Sequence, residues 1–588
     1  MNRRASQTPA SAFVVAHAHP QAAALARDIP VPLIIAQLLC ARGIHTADAA
    51  HEFFTPHIDH LHDPFAMLGM SAAVARIESA IAQQQPILIY GDYDVDGTVA
   101  TVLLKTAIER RGGTVRYHVP HRIRDGYGMQ SETLRRAAAD GVRLVISVDT
   151  GIRAFAAAQE AEALHLDLIV TDHHLPEPSL GLPRALAVLN PHQDGCTYPC
   201  KYLCGAGVAF KLAQALLESD PNSAQREVVR TKVIPSFLKM LAIATIADAV
   251  PLLGENRTLV AIGLRELARP AHAGLRALMR LAELDPAKGP FDTQAIGFRL
   301  APRINAAGRM DIASDVVELF TTRDPEQART LAEKLDRLNS ERRLTEQTAL
   351  TAIEQRIATD PELRDAACIV IDGDDWHRGV IGILASRIVD RTGKAALVLA
   401  HEDGEAYGSG RSTDGFHLLD AITTCHELFT RYGGHAHAVG FSLPSSRVPE
   451  LRQRMTAHAA TLVTETVAHM DCDAALPLDR ITPALYDWLR RFEPLGMENE
   501  APLFHACGVT LTAEPRYMKE IHVRLRLTQN PGQPTYSAIG WQMASCVRDL
   551  ALTENSRIDI AYTLRENQHP TYGGLELELL ALRKSPSF

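Results

Sequence analysis

The chain has 588 residues, too many for one hydrophobic core, so it divides into several domains. Its 46% apolar and 22% charged content excludes a largely disordered or fibrous chain, and without a run of about 18 apolar residues no membrane span is expected. The net charge of −9 excludes a uniformly basic nucleic-acid coat but leaves room for local basic patches.

Residues 1–60 are rich in Ala and His and read as a partly helical N-terminal extension. Met1-Asn2-Arg3-Arg4-Ala5-Ser6 carries two arginines, but His17, His19 and Pro20 interrupt the stretch after it. The start therefore lacks a signal-peptide apolar core, and a cytoplasmic location is expected. From about 65 to 265 apolar runs alternate with helical segments. Pro86-Ile87-Leu88-Ile89-Tyr90, Leu144-Val145-Ile146-Ser147-Val148 and Leu166-Asp167-Leu168-Ile169-Val170 read as buried strands, and 98–111 as a helix stopped by Gly112-Gly113. This alternation predicts a parallel sheet covered by helices, with helical chain running on to about residue 320.

Asp324-Pro325-Glu326-Gln327 predicts a helix start, with Asp324 as N-cap, proline at the first helical position and Gln327 at the capping-box position. No Gly or Pro interrupts the chain from there to Ile357, roughly 50 Å of helix at 1.5 Å per residue. Its apolar stripe breaks between Leu338 and Leu350, the pattern of a strut between domains. Beyond it, 367–371, 380–389 and 396–400 read as strand, helix and strand. Gly408-Ser409-Gly410-Arg411-Ser412, a second helix and the glycine-rich Tyr432-Gly433-Gly434-His435 come next, the last open to reading as a tight turn needing positive φ. From about 468 the short alternating runs, such as 522–527, predict a small β-barrel. The expected fold is α/β, in units of 1–60, 61–323, 324–358, 359–467 and 468–588.

Nine dispersed cysteines exclude a disulfide framework. Cys196, Cys200 and Cys204, near His192, lack the paired C-x₂-C knuckles of structural zinc and read as buried or loop thiols.

Chemistry concentrates in four short segments: Gly91-Asp92-Tyr93-Asp94-Val95-Asp96-Gly97, Val148-Asp149-Thr150-Gly151, Thr171-Asp172-His173-His174 and Ile246-Ala247-Asp248-Ala249. Three of them come directly after predicted parallel strands, where ligands bind beyond the carboxyl ends. A single such Asp is ordinarily a helix N-cap, and Asp92 is a candidate for that role. The first segment is not an EF-hand, because its twelfth position, counted from Asp92, is Leu103 rather than Glu. Taken together, crowded carboxylates with few imidazoles suit Mg²⁺ or Mn²⁺. A pair of such ions roughly 3.5–4 Å apart is the usual apparatus for phosphoester hydrolysis.

The order Asp-Tyr-Asp-Val-Asp-Gly, Val-Asp-Thr-Gly, Asp-His-His, Ala-Asp resembles the DHH phosphoesterases. Further segments resemble the RecJ family within them: Leu203-Cys204-Gly205-Ala206-Gly207-Val208-Ala209-Phe210-Lys211, Pro302-Arg303-Ile304-Asn305-Ala306-Ala307-Gly308-Arg309, Trp376-His377-Arg378-Gly379-Val380-Ile381-Gly382, Tyr432-Gly433-Gly434-His435-Ala436 and Glu493-Pro494-Leu495-Gly496-Met497-Glu498-Asn499. The resemblance implies a bacterial, cytoplasmic, single-strand-specific 5′-to-3′ DNA exonuclease with two Mn²⁺ or Mg²⁺ ions. It also implies a DHH-associated domain after the strut and a C-terminal OB-fold, with single-strand-binding protein and a RecQ-like helicase as partners.

On this reading Asp94, Asp96, Asp149, His173 and Asp248 are the metal ligands, with Asp149 bridging. Asp92, Asp172 and His174 stand around them as catalytic contacts, Asp172 as the candidate that orients a ligand imidazole. Ser409, Arg411, Gly433, Gly434 and His435 suit a terminal phosphate. By resemblance these bind the 5′ end, helped by Arg122 and by Arg303, Asn305 and Arg309 of their shared motif. Anchoring that end leaves only the first phosphodiester in line with the metals, and the gap between the domains would exclude duplex by width. Tyr517, Tyr536 and Trp541 are candidates for stacking on bases. Two other readings are a DHH phosphodiesterase of short oligonucleotides or cyclic dinucleotides, commonly shorter and without the barrel, and a non-catalytic single-strand-binding scaffold, against which every motif acid is present.

Overall fold

The computed structural model describes residues 12–126, 128–270, 272–413, 415–462, 469–567 and 573–586, so Arg3 and Arg4 lie outside the described residues. Its first sheet is wholly parallel, in the order Val115–His118, Ile87–Tyr90, Leu144–Val148, Asp167–Thr171, Ala187–Leu189. Ile87–Tyr90 thus lies between the next strand in the chain and the one after that. At such a switch point the connections diverge and open a crevice beyond the strand ends. Every residue of Ile87–Tyr90 and Leu144–Val148 is buried, as unbroken apolar runs covered on both faces require.

One face packs against Val95–Arg110 and Gly205–Glu218, in a core that continues through Ile234–Ala247, Gly254–Leu267 and Ala301–Met310. Ser131–Ala139 and Phe155–Ala163 cover the other face. Among the described residues no single helix is long and apolar enough to cross a membrane.

The strut is one 35-residue helix, Pro325–Thr359. Asp324 caps it, its Oδ1 accepting the Glu326 N–H at 3.0 Å. Gln327 does not close the expected capping box; its side chain instead bonds Glu318 and Thr322, outside the helix. Ala328, Ala332, Leu335 and Leu338 belong to the first core, whereas Ala349, Leu350 and Ile353 pack under the second sheet. Between these two grips Glu346 is buried. It accepts from Arg342 at 2.9 Å and from Arg387, on the second domain's helix Ile381–Thr392, at 3.2 Å.

The second sheet runs Arg431–His435, Ala438–Pro444, Glu405–Arg411, Ala395–Glu402, Cys368–Gly373; only the last pair is parallel, joined by Ile381–Thr392. The glycine-rich segment expected as a loop is therefore an edge strand. Past the strut's domain, Phe504–Leu511, Arg557–Asn567, Gly574–Lys584, Thr535–Gly540 and His522–Thr528 pair in turn. Thr510 and Leu511 then pair with Thr528 and Leu527, which closes a five-stranded barrel.

The N-terminal segment is more than an extension. Ala12–Val15 pairs in parallel with His469–Cys472, and Ala22, Leu25, Ile35, Leu38 and Leu39 are buried in the barrel's own core. The contact links residues more than 400 positions apart, which no local pattern announces.

Arg257 fastens this N- and C-terminal unit to the first domain. Buried at 3% exposure, it stacks on the Phe53 ring at 3.7 Å and donates to the carbonyls of Phe53, Arg491 and Glu493. Burial, with Arg42 nearby, pushes the guanidinium down to about 9. Removing it would orphan three carbonyls at the seam. Arg257→Ala should therefore destabilise the chain by roughly 3 kcal/mol, read as a lowered urea midpoint; a loss below about 1 kcal/mol would show that docking of the terminal unit does not depend on it.

Candidate active site

Asp92, Asp94 and Asp96 follow the switch-point strand, Asp149 follows Leu144–Val148, and His173 follows Asp167–Thr171. Asp248 arrives from outside the sheet as the C-cap of Ile234–Ala247. Their approach is tight: His173 Nε2 lies 3.4 Å from Asp149 Oδ1, 3.8 Å from Asp248 Oδ2 and 3.9 Å from Asp96 Oδ2. Ligand atoms of Asp92, Asp94 and Asp149 form one group within 4.8 Å, and those of Asp96, His173 and Asp248 form another. Asp149 touches both. Its backbone sits at φ 59°, as does Ala249 at 56°, sparsely populated for residues with a Cβ and commonest at functional sites.

The capping role falls differently from the expectation. Asp94 caps Val95–Arg110, its Oδ1 accepting the Gly97 N–H at 3.0 Å. Among the described residues Asp92 is left as a buried carboxylate whose Oδ1 has no hydrogen-bond partner, and Asp149 Oδ1 has none either. Asp96 is clamped by the N-terminus of Gly205–Glu218, with Gly205 N–H at 2.6 Å and Ala206 N–H at 2.9 Å. The helix end supplies partial positive charge there. Only glycine fits at 205, because a Cβ would come within 2.3 Å of Asp149 Oδ1. Lys211, at the far end of the same stretch, is buried in an ion pair with Glu255 at 3.0 Å and has a structural role.

Asp172 does not orient His173. Fully buried, it accepts from the backbone of Ile152, His173 and His174 and binds His174 Nδ1 at 2.7 Å, so it positions His174 and cannot itself reach a substrate. Burial opposes charge on His174, yet the bond and charge of Asp172 prevail and push it up to about 9.

Burial and mutual repulsion raise Asp92, Asp94, Asp149 and Asp248 above the ordinary carboxylate range. Unpartnered buried oxygens in an oxygen-rich donor set with one or two imidazoles fit hard divalent cations, which relieve that repulsion.

Across the seam lies a cavity of about 200 Å³ lined by Arg309 and Arg411, with Gly382 and Ile383 from the start of Ile381–Thr392, and Ser386, Arg387 and Asp390. Arg411 donates to Ser409 Oγ at 3.2 Å. Burial, then the nearby positive charges of Arg122 and Arg342, pushes Arg309 down to about 10, and burial with Arg122 lowers Arg411 too. Arg122 lies over the Tyr93 ring at 4.8 Å, beside the carboxylates. Such a guanidinium cluster at a helix N-terminus suits a phosphate. Sequence reasoning missed Gly382 and Arg387; Gly382 closes the Trp376–Gly382 motif, but nothing local marks Arg387.

The helix Ala301–Met310 joins pocket to crevice. Gly308 packs so closely that a Cβ would meet the Tyr93 carbonyl at 2.1 Å, and Asn305 Oδ1 accepts the Val95 N–H at 3.1 Å. Asn305 thus sets the Asp94–Asp96 turn rather than reaching into the pocket. Arg309 donates to the Gly379 carbonyl at 3.2 Å. Arg303 is turned away, its guanidinium bound to Asp336 and to the carbonyls of Arg299 and Leu281. Gly434 has φ 144° and a Cβ there would collide with the Ala438 carbonyl, whereas a Cβ at Gly433 would meet nothing within 4 Å. Their strand lies at the sheet edge, where backbone N–H groups remain unpaired. Burial, then the charges of His437, Arg411 and His174, lowers His435, which stands near both sites.

On the barrel Tyr517 and Trp541 are 39% and 38% exposed, each with an arginine over the ring, Arg548 and Arg565. Tyr536 instead packs at the core edge, bonded to the Ile481 carbonyl. Cys196, Cys200 and Cys204 are buried and, among the described residues, form no ligand group.

Comparison with known proteins matches residues 86–245 to the DHH family, N-terminal domain, 365–461 to the DHHA1 domain and 472–580 to the RecJ OB domain. The single-stranded-DNA-specific exonuclease RecJ of Dickeya dadantii is 34% identical over 557 residues, covering 92% of this chain and 94% of that protein. Its Bacillus subtilis counterpart is 38% identical over 483 residues, 81% of this chain, which spans only 59% of that longer relative. The crystal structure of RecJ in complex with Mn²⁺ from Thermus thermophilus superposes with a TM-score of 0.81 at 28% identity, covering 98% of this chain and 80% of that one. With three successive domains matched and a relative aligned almost end to end, the chain belongs to the RecJ family of DHH phosphoesterases.

Proposed function

We propose that this chain is a metal-dependent exodeoxyribonuclease that hydrolyses single-stranded DNA from its 5′ end and releases 5′-mononucleotides, in DNA recombination and repair. The observation that carries this reading is the pairing of two adjoining ligand groups, Asp92-Asp94-Asp149 and Asp96-His173-Asp248, which Asp149 links through His173, with a guanidinium pocket across one domain seam. Asp92, Asp94 and Asp149 would hold one Mn²⁺ or Mg²⁺, and Asp96, His173 and Asp248, with Asp149, the other. When bound, the ions supply the Lewis acidity and water activation on which two-ion phosphoester hydrolysis runs.

The chain's own groups do the rest. Arg411 and Arg309, with Arg122 and Ser409, hold the terminal phosphate against the start of Ile381–Thr392, and Gly433, Gly434 and His435 close its other side. His174, held through Nδ1 by Asp172, faces the scissile phosphate. With the end anchored, only the first phosphodiester reaches the carboxylates. Tyr517 and Trp541 offer stacking platforms for the strand beyond. The proposed units are 61–323, 324–358 and 359–467, with 1–60 and 468–588 combined through their shared core. The family resemblance implies single-strand-binding protein and a RecQ-like helicase as partners, in a bacterial cytoplasm.

Arg411→Ala should weaken binding of a 5′-phosphorylated single strand roughly 10- to 100-fold, the worth of a charge-assisted fork, and binding of a 5′-hydroxyl strand far less. Fluorescence anisotropy on the two strands checks this, and equal losses would move Arg411 to general backbone contact. Register depends on the strut. Leu344 lies on its free span and is 70% exposed, so Leu344→Pro removes no core contact while kinking the helix. Cleavage of a 5′-labelled strand should fall on the order of a hundredfold with Mn²⁺ affinity kept; a wild-type rate, with the kink confirmed by scattering, would show that the strut does not set the register.

A further inference from the structure

Far from the carboxylate crevice, His19, Cys40 and His45 bring two ring nitrogens and a thiol sulfur within 4.8 Å of one another. They come from three separate places: the turn before Ala22–Asp28, the last turn of Leu33–Ala41 and the loop before Ala47–Phe54. The rings of His19 and His45 stack, with centroids 4.9 Å apart and planes 21° from parallel. Gln21 N–H donates to His19 Nδ1 at 3.3 Å, which sets that ring and leaves Nε2 as its ligand atom. Cys40 is only 3% exposed, whereas His45 is exposed and opens the cluster to solvent.

We propose that His19, Cys40 and His45 bind one Zn²⁺ that staples the N-terminal segment. A thiolate with two imidazoles is a borderline-soft donor set that suits zinc and is wrong for Mg²⁺ or Mn²⁺, which the oxygen-rich crevice takes. Tetrahedral zinc asks for donors about 3.5 Å apart, a separation that small side-chain rotations reach from within 4.8 Å, and water would take the fourth, solvent-facing position. Binding displaces the Cys40 proton to solvent and forms the Zn–S bond, with no change of oxidation state. Burial raises the free Cys40 thiol, so in the metal-free chain that proton is in place.

The staple has something to hold. Arg42 lies between two of the ligands and donates to Asn499 Oδ1 at 3.1 Å and to the Glu500 carbonyl at 2.8 Å. The neighbouring Met497 carbonyl accepts the Leu252 N–H at 2.9 Å, four residues beyond Asp248. Zinc on Cys40 and His45 would therefore stiffen the loop that ties the terminal unit to the catalytic domain.

Cobalt(II) titration of the full chain in excess Mg²⁺ tests this, because thiolate-to-cobalt charge transfer is a signature that carboxylates and imidazoles cannot give. One equivalent should produce the near-ultraviolet band, Zn²⁺ should quench it stoichiometrically and Mn²⁺ should not. The band should vanish in Cys40→Ala, weaken at least tenfold in apparent affinity in His45→Ala, whose exposed side chain is not needed for folding, and persist in Cys204→Ala and Cys507→Ala. Absence of the band in wild type, or its survival in Cys40→Ala or at full affinity in His45→Ala, would overturn the assignment.

Discussion

Mutual repulsion among Asp92, Asp94, Asp96, Asp149 and Asp248 is what the surrounding structure is built to withstand. Three of the five are under 5% exposed, so water screens them poorly, and their neighbours raise the cost of ionising Asp92, Asp94, Asp149 and Asp248. The protein relieves this only in part. The N-terminus of Gly205–Glu218 faces Asp96 with two backbone donors, and Asp94 receives the Gly97 N–H, but among the described residues Asp92 Oδ1 and Asp149 Oδ1 have no hydrogen-bond partner. Strain enters as well, since Asp149 holds a left-handed backbone conformation that places its carboxylate between the two ligand groups. Divalent cations would relieve this repulsion, and the apolar layers on both sheet faces fix the carboxylates where such ions would be held.

The distance from this crevice to the arginine-lined pocket is fixed by short-range contacts rather than by long loops. Ala301–Met310 touches Tyr93 through Gly308, caps the next turn through Asn305 and carries Arg309 onto the Gly379 carbonyl. The strut makes a second connection, gripped by one core before Leu338 and by another after Ala349, with Glu346 paired to both Arg342 and Arg387 between them. Two independent links between the same pair of sites make a rigid gauge, which is what the proposed removal of one nucleotide at a time would demand.

Much of this was legible in the sequence, because parallel strands buried on both faces read as unbroken apolar runs and their carboxyl ends are where ligands collect. Asp324-Pro325 marked the strut's start, and the gap after Leu338 marked its free span. Other features depend on geometry that no local pattern carries. Asp92 and Asp94 stand two residues apart, and only the helix start decides that Asp94 is the cap and Asp92 the unpartnered carboxylate. Gly433-Gly434 carries a turn signal yet forms an edge strand, because its pairing with Gly440 and Val439 is set by the rest of the sheet. Arg303 and Arg309 share one motif, but about a hundred degrees per residue sends one to Asp336 and the other into the pocket. The docking of 12–54 on the barrel is a contact between the two ends of the chain and is invisible to any window.

The most direct test of the cation-centred account is single-turnover hydrolysis of a 5′-labelled single strand by Asp149→Ala in saturating Mn²⁺, beside an equilibrium binding measurement on the same strand. Removing the carboxylate that links the two ligand groups through His173 should cost several kcal/mol in the transition state, a fall of about a thousandfold or more, while strand affinity stays near wild type because the arginine pocket is untouched. Retention of more than about a tenth of the wild-type rate would contradict the account.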